Sequence, residues 1–246
     1  MNKIPMTAWI IVGVIGVIYM AWSIAYPSTT VRYRMTVSVE TPEGIKTGSA
    51  VREVTIERHP QLLGETSVGS VGVRGEAITV DLGKRGVLFA LMSGGVGGVD
   101  YGAYILTTAF PVRGGPVTRE GIGYYRSLKT GKVTLKPGQY PMFVRFKDSS
   151  DPKTVESIYR EEPYDALNEK GQYTGRAYHI TDRFEETFGK GVKLKEVTIE
   201  ITDEPVTTGV EKIIPSFGQG TGFNEWQRSL RYGDPLYLDR TEFIRR

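Results

Sequence analysis

Residues 4–31 carry no charged side chain, and within them residues 7–25 (TAWIIVGVIGVIYMAWSIA) are almost wholly apolar. A chain that keeps such a run has to cover it with lipid or with protein. As a helix rising about 1.5 Å per residue, the run spans roughly 28 Å, close to the hydrocarbon thickness of a bilayer. Thr7 and Trp9 stand near one end, and Trp22, Ala25 and Tyr26 near the other, where amphipathic rings favour the headgroup boundary. Pro27 ends the helix. Gly13, Gly16, Ala21 and Ala25 form a stripe of small residues on which a second membrane helix can pack closely, although small residues are common in membrane helices generally.

A cleaved signal peptide is the competing reading, since Ser23-Ile24-Ala25 presents small residues where a signal peptidase cuts. The apolar run is longer than a usual signal core, and bulky Trp22 and Tyr26 flank that cut, so a retained anchor is expected. Lys3 before the helix and Arg32 and Arg34 after it nearly balance the short flanks. The expected arrangement is a short cytoplasmic tail, a single span over residues 1–30 in the inner (cytoplasmic) membrane, and a periplasmic domain over residues 31–246. The expected partners are therefore the lipid bilayer and other membrane proteins.

Residues 31–40 set Val31, Tyr33, Met35, Val37 and Val39 against Arg32, Arg34, Thr36, Ser38 and Glu40, the period of two that marks a half-buried strand. Thr41-Pro42-Glu43-Gly44 is turn chemistry, and a partner strand over residues 49–57 completes a hairpin. Over residues 71–82 the apolar positions change phase near Gly75 and Glu76, as at a β-bulge. After a turn at residues 83–86, the unbroken apolar run 87–92 belongs in a sheet centre packed on both faces. Further strands are expected over residues 103–110, 132–136, 140–147 and 192–202, the last with Val197, Ile199 and Ile201 on one face.

Helical signals are short. Asp182 and Glu185 make a capping box, Ile180, Phe184 and Phe188 share a side, and Gly189 is the stop. Phe223, Trp226 and Leu230 share another helical face, Asp239 and Glu242 are expected to cap a last turn containing Phe243 and Ile244, and these aromatics to clamp the tail onto the domain. Thirty glycines in 246 residues add many tight turns. The expected fold is mainly β: after the transmembrane helix, one antiparallel β-sandwich-like or barrel-like domain with a few short helices.

No motif has the spacing of a catalytic or cofactor site. Basic and acidic residues, 31 and 28, are interleaved, so no nucleic-acid partner is expected. The run Gly94-Gly95-Val96-Gly97-Gly98-Val99-Asp100 can surround an anion with backbone N–H groups, but Asp100 stands where a dinucleotide fingerprint needs its third glycine. Two histidines, His59 and His179, and no cysteine give no metal spacing. Asp148, Ser150 and Asp151 read as turn formers, and no cofactor is expected. Gly95, Gly97, Asp100, Tyr101, Tyr104, Tyr124 and Tyr125 form the candidate interaction surface, because tyrosine offers large amphipathic area for recognition. Strand packing explains the same residues equally simply.

The segments Arg34-Met35-Thr36-Val37-Ser38-Val39-Glu40-Thr41-Pro42-Glu43-Gly44, Lys46-Thr47-Gly48-Ser49, Gly75-Glu76-Ala77 and Val197-Thr198-Ile199-Glu200-Ile201-Thr202-Asp203-Glu204-Pro205-Val206-Thr207 resemble a group of bacterial inner-membrane-anchored proteins without an assigned function. The resemblance implies a Gram-negative source and a membrane tether before a periplasmic β-rich domain, and it brings no catalytic residue. The expected function is a non-enzymatic membrane-anchored accessory or scaffold subunit of a larger inner-membrane complex. The alternative is a periplasmic binding module for cell-envelope glycan or a small ligand.

Overall fold

The computed structural model describes residues 6–60, 68–94, 98, 100–214, 228, 238 and 240–246, apart from the side chains of residues 6–8, 10, 163 and 176. Helix α1 (Met6–Ala25) passes through Tyr26 and Pro27 directly into strand β1 (Ser28–Thr41). Among the described residues no helix is long and apolar enough to cross a membrane.

The alternation in β1 does what its period requires: Val31, Tyr33, Met35, Val37 and Val39 are all buried on one face. Thr41 pairs with Gly44 across the turn, and β2 (Gly44–Arg58) runs back along the whole of β1. The turn is bolted down by Arg85, whose guanidinium lies 2.7 Å from Glu43 and holds that carboxyl down to about 2.

The phase change near Gly75 is more than the expected bulge. It separates β3 (Gly69–Glu76) from β4 (Ile78–Asp81), which belong to different sheets. Gly75 has φ +148°, and a Cβ there would meet Cγ of Arg52 at 2.9 Å, so the crossing point takes only glycine without strain. One sheet has the order β11-β3-β2-β1-β10-β6, with β6 (Lys132–Thr134), β10 (Lys193–Ile201) and β11 (Ile244–Arg245). The other has the order β4-β5-β7-β8-β9, with β5 (Val87–Gly94), β7 (Pro141–Phe146), β8 (Val155–Leu167) and β9 (Tyr173–Asp182). All named pairings are antiparallel, and the whole is sandwich-like.

Tyr33, Met35 and Val37 of the first sheet share a core with Ile78, Val80, Leu88, Ala90 and Phe143 of the second. The alternate residues Phe89, Leu91 and Val144 face outward into a second cluster closed by Val210, Ile214, Phe243 and Ile244. Burial on both faces is why β5 reads as a continuous apolar run. It also bears out the expected clamp by the tail, with the Phe243 ring 6.3 Å from Phe89 and 5.9 Å from Phe146. Phe223, Trp226, Leu230 and Asp239 lie outside the described residues.

One strand expectation is overturned. Residues 103–110 fall in helix α2 (Tyr101–Ala109) and its C-cap Phe110, with Tyr101, Ile105 and Leu106 buried at helical spacing. Helix α3 (Arg119–Ser127) follows, capped by Thr118 Oγ1, which accepts from Gly121 N at 3.0 Å. Helix α4 (Phe184–Phe188) stops at Gly189, as expected, but its N-cap is Arg183, which makes no side-chain cap bond, and Asp182 Oδ1 accepts from Phe184 N one residue ahead of that cap. Glu185 instead accepts from Gly191 N at 2.9 Å, and Ile180 stays exposed on β9.

Candidate functional site

A cleft of about 690 Å³ opens where β3 hands over to β11. Its floor is Gly75, Glu76 and Ile244, and its outer wall is the segment 205–212. That segment is tied down at both ends. Thr207 donates its N–H to Val51 O (3.1 Å) and accepts from Val51 N through Oγ1 (2.8 Å), taking over the edge of β2 where β3 stops pairing with it. Val210 N then donates to the buried carboxylate of Glu76 at 2.8 Å. A smaller hollow of about 300 Å³ lies on the other side of the same strap.

The rim is cationic. Arg32 and Arg74 each lie 2.7 Å from Glu53, one on each carboxylate oxygen. Glu211 likewise serves both Arg246, at 2.7 Å, and Arg240, and Arg245 lies 3.1 Å from Asp100. Among the described residues four guanidinium groups, those of Arg32, Arg74, Arg240 and Arg246, thus share two carboxylates, and Lys212 adds an exposed ammonium. The carboxylates fix the arginines in position without neutralising them, which leaves the cleft suited to a carboxylate or phosphate ester on a partly apolar body.

Beneath the cleft lies Arg52, fully buried, whose Nε donates to Glu76 O and Nη2 to Leu91 O, both at 3.2 Å. Among the described residues no carboxylate pairs with it. One guanidinium thereby joins the carbonyls of both sheets. Tyr33 and Tyr101 neighbour it, their hydroxyls donating to Gly102 O (2.7 Å) and Gln139 O (3.0 Å), and burial pushes both phenols up. Of two further buried carboxylates, Glu242 accepts from Ser93 Oγ, and Glu161 accepts from Gly138 N, Tyr140 N and Tyr159 OH. These groups tie up one another's polar atoms inside the core.

The tyrosine-rich surface expected from the sequence divides. Tyr101 and Tyr125 are core residues, because each can bury its ring while its hydroxyl reaches a carbonyl, Tyr125 donating to Phe110 O at 2.7 Å. Tyr104 is exposed, Tyr124 is half-buried against Tyr125, and Asp100 holds Arg245 at the edge of the cleft. Gly95 and Gly97 lie outside the described residues, as does the Thr7 side chain. In α1, Trp9 and Trp22 are exposed, and around Gly13 and Gly16 the space for a Cβ is empty. Ala21 and Ala25 continue the helix, and Tyr26 packs its ring 4.8 Å from that of Trp22.

His59 bonds Ser70 Oγ at 2.9 Å and His179 stacks on Tyr164 at 4.2 Å. Both are exposed; Glu162 stands opposite His179 across β8 and β9, and among the described residues no ion pair joins either histidine to a carboxylate. Asp148 and Asp151 accept from backbone N–H groups two residues on, as turn formers do. Among the described residues no group of His, Asp and Glu could hold a metal ion.

A second surface lies along β8 and β9 and takes in Tyr164 and Tyr173 of the tyrosine-rich middle of the chain. β7 pairs with β8 only as far as Tyr159, so beyond it β8 is paired with β9 alone. This two-stranded ribbon exposes Tyr164, Leu167, Tyr173 and Ile180. No protein-family model, curated protein or solved structure matches the chain.

Proposed function

We propose that the chain is a non-enzymatic accessory subunit, anchored in the inner membrane by α1 with its β domain in the periplasm, and engaged with a larger membrane complex. One observation carries the reading: eleven large apolar side chains of α1, from Trp9 to Ile24, stand exposed on all sides of the helix. At about 1.5–3 kcal/mol each, leaving them in water costs on the order of 20 kcal/mol, more than a whole domain's stability. Lipid and a neighbouring helix are the covers that fit a helix apolar all round. The ribbon of β8 and β9 and the arginine-rimmed cleft supply the polar and apolar contacts of a partner-binding domain.

Extraction of natively expressed protein in mild detergent tests the proposal. Co-migration with defined membrane partners and resistance to carbonate washing are expected; a chain that washes free or migrates alone overturns it. A second reading, a periplasmic module for a small anionic ligand or an acidic envelope glycan, draws on the cation excess of the cleft. Saturable calorimetric binding of an acidic oligosaccharide, lost in Arg74→Gln/Arg246→Gln, would favour it.

A further inference from the structure

The end of the domain nearest the tether has a charge pattern that neither reading uses. Three strands meet there: Ser28 of β1 pairs with Glu57 of β2, and the next residue, Arg58, pairs with Gly69 of β3. The tether enters without slack, since Tyr26 N donates to Trp22 O (2.9 Å) and Arg58 N donates to Pro27 O (3.1 Å). Helix α3 lies across these same strands. Arg126 near its end donates to Ser28 O at 2.9 Å, and Val117 just before its start packs so close to Gly69 that a Cβ there would lie 2.9 Å away. Ile122 and Tyr125 turn into the core, while Arg119, Gly123 and Arg126, one face of the helix, remain exposed.

Charge along the chain is nearly balanced, yet between Arg113 and Lys132 five basic residues, Arg113, Arg119, Arg126, Lys129 and Lys132, stand against the single acid Glu120. Among the described residues Arg113, Arg119 and Lys129 have no carboxylate partner, and Arg126 spends one nitrogen on a carbonyl. Beside them Arg126 and Lys129, with Arg32 (paired to Glu53) and one acid, Asp203, line a hollow of about 160 Å³. A basic cap a few residues from a membrane helix complements an anionic lipid surface.

We propose that this cap, α3 with its flanks, docks on the headgroups of anionic phospholipids, so that the domain rests on the bilayer that holds its tether. The inference rests on the tether reading. Each cation near such a surface is worth about a fivefold change in the ratio of docked to undocked domain. Neutralising three therefore shifts that ratio about a hundredfold.

The chain has no cysteine, and a side chain at Gly123 meets nothing within 4 Å, so Gly123→Cys carries a unique environment-sensitive fluorophore. The full labelled chain goes into nanodiscs of phosphatidylcholine, alone or with about a third phosphatidylglycerol, at low salt and at about 0.5 M salt. The expected result is lipid-quenchable, blue-shifted emission in the anionic discs alone, reversed by salt. It is abolished by Arg113→Gln/Arg119→Gln/Lys129→Gln with the thermal melt unchanged. Equal emission in both lipids, from chains that size exclusion shows to be in the discs, refutes the docking and leaves the tether intact. Chains that enter neither disc refute both.

Discussion

Gly48 stands where β2 passes closest to β4, and replacing it with alanine measures how rigidly the two sheets are held together. A Cβ at this position would lie 2.0 Å from Thr79 O and 2.8 Å from its carbonyl carbon. An unstrained carbon-to-oxygen approach is about 3.3 Å, so the backbones must part by more than ~1 Å. The obstacle is main chain and cannot rotate away. Overpacking of this kind costs typically 1–3 kcal/mol, and a backbone obstacle puts Gly48→Ala at about 3 kcal/mol. For a chain of this size that lowers the melting temperature by about 6–12 °C. Gly72→Ala in β3 is the matched control, because a Cβ there meets nothing within 4 Å and the backbone lies outside the left-handed region. Lowering the entropy of the unfolded chain, it is expected to gain about 0.4–1 kcal/mol. Thermal melts of both variants, followed by far-ultraviolet circular dichroism in mild detergent, compare the two. A Gly48→Ala melt within about 2 °C of the parent, or shifts of the same sign in both, would refute the close approach of the sheets.

Other consequences follow from the buried polar groups and the tail. Arg52→Met strips the donor from Glu76 O and Leu91 O at about 1–3 kcal/mol each, partly offset by a buried cation that no longer needs desolvating; a net loss of about 2 kcal/mol in urea titrations is expected, and a variant as stable as the parent contradicts the cross-sheet role. Phe243→Ala empties the site between Phe89 and Phe146 and is expected to cost about 3–5 kcal/mol by the same measurement. At high pH, burial pushes Tyr125 up to about 12 and raises Tyr33, Tyr101 and Tyr159 too. From about pH 10 upward the unfolded chain has lost phenolic protons that the folded chain keeps, so stability falls as pH rises through that window. Tyrosinate absorbance should then rise in two stages, exposed rings first and the buried ones together with loss of circular dichroism. A single smooth titration without unfolding would count against it.

The parts of this fold that were legible are those whose burial repeats along the chain. β1 shows its inward face every second residue, β5 shows two buried faces as an unbroken apolar run, and Phe243 and Ile244 show as apolar residues in a charged tail. α2 has the sequence of a strand because Ile105, Thr107 and Thr108 are β-branched and a short apolar run fits either period; only the burial of Ile105 and Leu106 four residues beyond Tyr101 and Gly102 decides it. The ribbon of β8 and β9 buries neither face along its outer half, so no burial period marks it, and its tyrosines, Tyr164 and Tyr173 among them, are the one signal it carries. The cleft brings together Arg32 and Arg74, which meet Glu53 from either side in the register of β1, β2 and β3, with the strap 205–212 and with Arg245, which the return of β11 places beside Gly75. No local spacing encodes them.

The two-residue joint between α1 and β1 also fixes a height. β1 and β2 run unbroken from that joint to the turn at Thr41 and Gly44, fourteen residues of β1 or about 45 Å. With α1 in a bilayer, the domain becomes a rigid peg of set stand-off, its crown always at the same altitude and azimuth. Inserting a glycine-serine stretch after Tyr26 would let it swivel, so an assembly that reads the crown would lose its grip although every contacting side chain was still present.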